Sequence, residues 1–213
     1  MRLVMPRLYV ILDAGLVHGS LLEFSQQLID SGVRILQYRH KTAAAKSMLR
    51  ECKAVAKAAN EAGVSFLVND RPDVAFLANA TGVHVGQDDL GVEQARSIVG
   101  AERWVGVSTH NREQFAAAAA TSADYIAIGP IFETSSKANP DPAVGVDVIR
   151  ALRALTEKPI VAIGGISMDR AEEVLRAGAD SVAVIGDILL AANPKERARQ
   201  FVKKLEGVNL ARD

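Results

Sequence analysis

Eight short apolar runs alternate with eight amphipathic or alanine-rich segments along 213 residues, and this alternation predicts a (β/α)8 TIM barrel. Two further observations support that fold class. A glycine closes a helical segment and precedes a strand in Ser31-Gly32-Val33, Ala62-Gly63-Val64, Thr81-Gly82-Val83 and Ala177-Gly178-Ala179. Glycine in that place supplies the left-handed residue that ends a helix. Nearly every strand also exits onto polar or glycine residues, as expected where strand ends converge on one mouth. An open, doubly wound sheet is the structural rival. It carries a glycine-rich turn after its first strand, whereas Asp13-Ala14-Gly15 stands there. No linker or shift in composition divides the chain, so one domain over residues 1–213 is expected.

The units follow in order. Strand 8–13 exits at Asp13 and leads to helical segment 21–31. Strand 33–39 exits through Gln37, Arg39 and Lys41, ahead of segment 46–62. Strand 65–69 ends on Asn69-Asp70, and Asp70-Arg71-Pro72 also reads as a capped start for segment 72–79. Strand 83–86 contains His84 and exits at Gln87-Asp88-Asp89, before segment 92–99. Strand 104–108 exits at Ser108-Thr109-His110, before segment 112–121. Strand 125–129 exits at Gly129-Pro130, then Thr134, Ser135, Ser136 and Lys137. These lie in a long irregular stretch, 131–145, that reads as an active-site lid. Segment 146–156 follows, with Pro159 as its stop. Strand 160–164 exits at Gly164-Gly165, before segment 169–177, and strand 181–185 exits at Gly186-Asp187, before segment 194–205.

Composition narrows the function classes. Lys and Arg total 25 and balance 25 Asp and Glu, so the net charge implies neither nucleic acid nor membrane as a partner. The lone Cys52 excludes an internal disulfide and a multi-cysteine metal site, and it fits a reducing cytoplasm. No apolar run approaches the roughly 18 residues of a membrane span.

The second strand carries the strongest chemical signal. Residues two apart in a strand share a face, so Gln37, Arg39 and Lys41 point the same way. An amide and two like charges suit an anion at a strand's C-terminal end better than a packed core. Arg39, Lys41 and Lys137 supply positive charge for phosphate oxygens. Asp70 and Asp89, on neighbouring strands, add carboxylates to that cationic mouth, a set that suits Mg2+ held partly by substrate phosphates. Gly164-Gly165 and Gly186 let backbone N–H groups approach a second anion after the last two strands. Two anion sites, one metal-assisted and one backbone-built, are expected.

These residues occur in motifs. Gln37-Tyr38-Arg39-His40-Lys41 reads QxRxK, Asn69-Asp70 reads ND, and His84-Val85-Gly86-Gln87-Asp88-Asp89 reads HxGQxD. Gly106-Val107-Ser108-Thr109-His110, the run from Gly129 to Lys137, and Ala162-Ile163-Gly164-Gly165-Ile166 follow in order. Together the set resembles the thiamine-phosphate synthase family, with matching spacing from Leu8 to about Leu205. The resemblance implies condensation of a hydroxymethylpyrimidine diphosphate with a thiazole phosphate (or its carboxylated form), giving thiamine monophosphate and pyrophosphate. It implies small-molecule substrates, Mg2+ on Asp70 and Asp89, and pyrophosphate held by Arg39, Lys41, Asn69, Ser108 and Lys137. Gln37 would place the aminopyrimidine. Thr134, Ser136, Gly165, Ile185 and Gly186 would bind the thiazole phosphate. Ser136 and Gly186 stand where the family has Thr and Ser, and Glu133 stands for a Pro; a homo-oligomer is compatible with all of this. The rival within the fold is a thiazole tautomerase using His110 as acid–base. A Schiff-base aldolase on Lys41 or Lys137 and a non-catalytic phosphate-ligand sensor are further alternatives.

Overall fold

The computed structural model describes residues 3–134 and 141–208. Eight strands form a closed parallel barrel in sequence order: β1 (Leu8–Asp13), β2 (Ile35–Arg39), β3 (Ser65–Asn69), β4 (Gly82–Val85), β5 (Trp104–Thr109), β6 (Tyr125–Ile128), β7 (Ile160–Ile163) and β8 (Ser181–Val184). The ring closes where β1 pairs with β8, with Tyr9 opposite Ala183. The helices between strands are α1 (Leu21–Asp30), α2 (Ala45–Glu61), α3 (Pro72–Leu77), α4 (Val92–Val99), α5 (Arg112–Ala119), α6 (Asp147–Arg153) and α7 (Met168–Arg176). After β8 come α8 (Gly186–Leu189) and α9 (Pro194–Glu206).

The two-residue strand period sorts side chains into two cores. One face of each strand packs under the helices: Leu8, Val10 and Leu12 of β1 join Leu36, Tyr38, Phe66 and Val68 there. The other face fills the barrel interior, where Tyr9, Ile11, Ile35, Leu67, Tyr125, Ala127, Val161 and Ala183 meet. Strands buried on both faces read as continuous apolar runs, which is why all eight were visible in the sequence.

Helix starts follow side-chain chemistry. Ser20 caps α1 by accepting from Glu23 N, Asn111 caps α5 by accepting from Gln114 N, and Asn193 caps α9 by accepting from Glu196 N. Two local expectations are corrected. Gly82 is not a helix cap but the first residue of β4, where a Cβ would lie 2.2 Å from the Trp104 carbonyl oxygen. The left-handed residue after α3 is Asn79, with φ 54°. Pro159 does not stop α6, which ends at Arg153; the Arg153 guanidinium donates to the Thr156 and Lys158 carbonyls that follow. The short α8 was not anticipated, because a single helical turn is too brief to show a period. Among the described residues no helix is long and apolar enough to cross a membrane.

Candidate active site

The C-terminal strand ends open into a cavity of ≈ 850 Å3. The stripe on β2 runs along its wall from a sealed end to an open one. Gln37 is buried, and its Nε2 donates to Tyr9 Oη at 2.6 Å. Arg39 pairs with Asp13, its register partner on β1. Asp13 is itself steadied by Gly15 N, which donates to Oδ1 at 3.1 Å. Lys41 has a half-exposed side chain whose Nζ lies 2.7 Å from Asp70 Oδ2. Tyr38 faces away, donating to Glu51 on α2 at 2.7 Å, so the stripe is cleanly separated from the helix layer.

The carboxylates meet at the exits of β3 and β4. Asp70 takes the left-handed conformation, φ 63°, and its N–H donates to the His84 carbonyl at 2.8 Å. Side chains other than glycine, asparagine and aspartate rarely adopt this region. Asp70 does not cap α3, as the sequence had suggested: Arg71 occupies the cap position and makes no side-chain cap bond. Asp89 Oδ2 accepts from Gly86 N at 2.8 Å. Desolvation in the mouth, and next a hydrogen bond with the Asp70 carboxyl, push the Asp89 carboxyl above its ordinary range, while the Gly86 N–H opposes them. Two carboxyls thus sit together, with the Lys41 ammonium on Asp70 offsetting part of their charge. Asn69 lines the cavity beside them.

Ser108, at the end of β5, lies 2.8 Å from His84 Nε2. His84 is buried, and desolvation lowers its pKa to about 4 against the opposing pull of Asp70, so the ring is neutral. Its Nδ1 lies 2.9 Å from Tyr125 Oη, which in turn lies 3.0 Å from Tyr9 Oη. His84 stood in the HxGQxD motif without an assigned role, and Tyr9 and Tyr125 were not among the sequence candidates. The available signal was an aromatic residue with a polar tip in an otherwise aliphatic run.

The far wall comes from β6 to β8. Ile131 N donates to Ile163 O at 2.8 Å, and Phe132 N donates to Gly164 O at 3.0 Å, lacing the two exits together. Gly165 has φ 62°, and a Cβ there would lie 2.4 Å from the Glu133 carbonyl oxygen. Thr134, Gly165, Ile185 and Gly186 all line the cavity. Asp187 accepts from Met168 N at 2.7 Å and receives both Nε and Nη2 of Arg197, tying the β8 exit to α7 and α9. His110 Nδ1 donates to the Gly129 carbonyl at 2.6 Å and lies 3.6 Å from an Asp141 carboxylate oxygen. The structure therefore brings Gln37, Arg39, Lys41, Asn69, Asp70, Asp89 and Ser108 to one side of the mouth, and Thr134, Gly165, Ile185 and Gly186 to the other. Ser136 and Lys137 lie outside the described residues, as does part of the expected lid.

Known proteins share this architecture and sequence. The family model described as thiamine monophosphate synthase matches residues 8–188. The chain is similar to the thiamine-phosphate synthase of Koribacter versatilis, 49% identical over 95% of this chain and 97% of that protein. It is also similar to that of Chloroflexus aurantiacus, 43% identical over 92% and 90%. The solved structure of a thiamine phosphate pyrophosphorylase from Pyrococcus furiosus superposes with a TM-score of 0.87, at 31% identity, covering 95% of this chain and 96% of that one. Family match, close relatives and shared fold agree over nearly the whole chain, which belongs to the thiamine monophosphate synthase family.

Proposed function

We propose that the chain joins 4-amino-2-methyl-5-(diphosphomethyl)pyrimidine to 4-methyl-5-(2-phosphoethyl)thiazole, or its carboxylated form, giving thiamine monophosphate and pyrophosphate. The observation that carries this reading is the meeting of Arg39 and Lys41 with the Asp70–Asp89 pair in one cavity. Cations grip an anion, and paired carboxylates at the same point attract a metal that the anion brings with it.

The donor set fits Mg2+, which takes one or two carboxylates and completes its shell with water and substrate phosphate oxygens. Burial first, and then the Asp70 carboxyl beside it, push the Asp89 carboxyl above its ordinary range, a cost that a cation would relieve. Asp70 and Asp89 supply two carboxylates and leave the other positions to water and substrate oxygens. Held by Asp70 and Asp89, Mg2+ would neutralise charge that builds on the departing pyrophosphate.

The remaining chemistry belongs to the side chains. In a dissociative substitution the bond from the pyrimidine methylene to the pyrophosphate breaks first, and the ring amino group feeds electrons to the cation left behind. The thiazole nitrogen then captures that cation, so no enzymic nucleophile is required. Arg39, Lys41 and Lys137 stabilise the leaving group, with Asn69 and Ser108 adding hydrogen bonds. Gln37 orients the aminopyrimidine. Thr134, Ser136, Gly165, Ile185 and Gly186 seat the thiazole phosphate so that the two rings face each other. Lys137→Ala should lower the single-turnover rate by roughly 10²–10³-fold, the size of one transition-state charge donor. A cytoplasmic setting suits the unpaired Cys52 thiol. Mixing both substrates with Mg2+ and detecting thiamine phosphate by mass spectrometry tests the reading; no product at saturating substrate overturns it.

A further inference from the structure

Beneath the mouth, five side chains from five strands form an unbroken hydrogen-bonded path. Gln37 Nε2 donates to Tyr9 Oη at 2.6 Å, Tyr9 Oη and Tyr125 Oη are 3.0 Å apart, Tyr125 Oη lies 2.9 Å from His84 Nδ1, and His84 Nε2 lies 2.8 Å from Ser108 Oγ. Tyr9 is 1% exposed and Tyr125 0%, so each phenol hydrogen needs an acceptor inside the protein. Burial also holds both phenols in their protonated form.

Counting hydrogens sets the direction. Tyr9 Oη accepts from the Gln37 amide, so its single hydrogen goes to Tyr125 Oη. Tyr125 then has its own hydrogen for His84 Nδ1. That nitrogen must be bare, so the imidazole hydrogen sits on Nε2 and goes to Ser108 Oγ. Ser108 has accepted one hydrogen and keeps its own to donate into the cavity. At the other end, Gln37 has committed its nitrogen to Tyr9, and among the described residues its oxygen takes no hydrogen bond and is not sealed from the cavity. Turning the Gln37 amide over would reverse every link and consume the Ser108 hydrogen at His84.

We propose that Tyr9, Tyr125 and His84 are positioning residues: they form a one-way relay that presents the Gln37 oxygen as an acceptor and the Ser108 hydroxyl as a donor to one ligand. The complementary ligand carries an amino group at one end and an anion at the other. An amino-heterocycle bearing a diphosphate has this polarity, so the inference deepens the function proposed above and rests on it for the ligand's identity. The opposite polarity would turn an oxygen lone pair of Ser108 toward an anion in a mouth where Arg39 and Lys41 already favour negative charge.

The relay's direction is readable without turnover. Long-range 1H–15N NMR of the histidine-labelled protein reports each ring's tautomer, and His84→Gln assigns the His84 signals by their loss. The expected result is a neutral His84 with hydrogen on Nε2, contrasting with His110, whose Nδ1 donates to Gly129 O. An Nδ1–H tautomer at His84 overturns the proposal whatever the enzyme does. Tyr125→Phe then cuts the relay while keeping the ring, and Tyr9→Phe cuts it one link earlier should the first variant not fold. The cut should give His84 a mixed tautomer signature and lower kcat/KM for the diphosphate by roughly tenfold, the range of one hydrogen bond to a charged group. In a Ser108→Ala background the same cut should cost less than in the parent protein, because the Ser108 part of its effect is already lost. Fully multiplicative losses overturn the relay. A His84 that carries its hydrogen on Nε2 in a protein that makes no thiamine phosphate would remove the substrate reading and leave the relay standing.

Discussion

A Cβ on residue 106 would lie 2.0 Å from Tyr125 Cζ and 2.4 Å from its hydroxyl, so glycine at position 106 is what lets the Tyr125 ring cross the barrel interior. The two residues are register partners on β5 and β6. The ring places its hydroxyl between Tyr9 and His84, and the buried glycine thus supports the site from within the barrel. Gly106→Ala should cost about 1–3 kcal/mol, the usual penalty for overpacking, visible as a lower urea midpoint. An unchanged midpoint would show that the ring has room to move aside.

The Asp70–Asp89 pair is expected to set the metal requirement. Asp70→Asn is the informative change, because asparagine tolerates the left-handed backbone at φ 63° and keeps the fold separate from the charge. Asp70→Asn and Asp89→Asn should each raise the Mg2+ concentration for half-maximal velocity by roughly tenfold or more, the effect of about 1.4 kcal/mol of lost binding. Near-normal rates of both variants at limiting Mg2+ would remove the pair from this role.

Acid should weaken the fold partly through His84. In the unfolded chain the ring takes up a proton near the ordinary histidine value of 6.5, whereas burial holds the folded value at about 4. The unfolded state therefore binds more protons between these two values. The contribution is fully present above pH 6.5 and is lost as pH falls toward 4, up to about 3 kcal/mol. Urea unfolding at about pH 7 and about pH 5 should show a steeper loss in the parent protein than in His84→Gln. Equal losses would mean that His84 titrates normally.

Cys52 should be inert in the folded protein. It is 0% exposed on α2. Desolvation first, and then the Glu51 carboxylate beside it, push its thiol up to about 12. Iodoacetamide at mildly alkaline pH should leave the native protein unlabelled and modify it readily in urea. Labelling at one rate in both states would contradict the packing of α2 on the barrel.

Much of the site was legible because it follows strand periodicity. Gln37 and Arg39 alternate along β2, and alternation alone places them on one face, whereas Lys41 lies in the turn two residues past the strand end. Their partners were not legible. Asp13 meets Arg39 because β1 and β2 pair in a register that sets those residues opposite each other, and register is not written in either strand alone. Lys41 meets Asp70 because the chain turns sharply at a left-handed aspartate, a conformation that sequence pattern does not announce. Asp70-Arg71-Pro72 looked like a helix cap for the same reason: the motif is local, but the carboxylate answers to a lysine 29 residues away.

The sequence by itself determined the alternating elements, the fold class and the chemical character of the strand exits, since each depends on neighbours within a few residues. Only the closed barrel decided which face of each two-sided apolar strand looks inward. Tyr9 and Val10 are adjacent in β1, yet one joins the polar relay and the other packs under the helices. Tyr125, His84 and Ser108 come from three strands and come within hydrogen-bonding distance only where closure brings those strands together. Hydrogen bonds act over about 3 Å, and nothing in the linear order of the chain sets distances that short between residues so far apart.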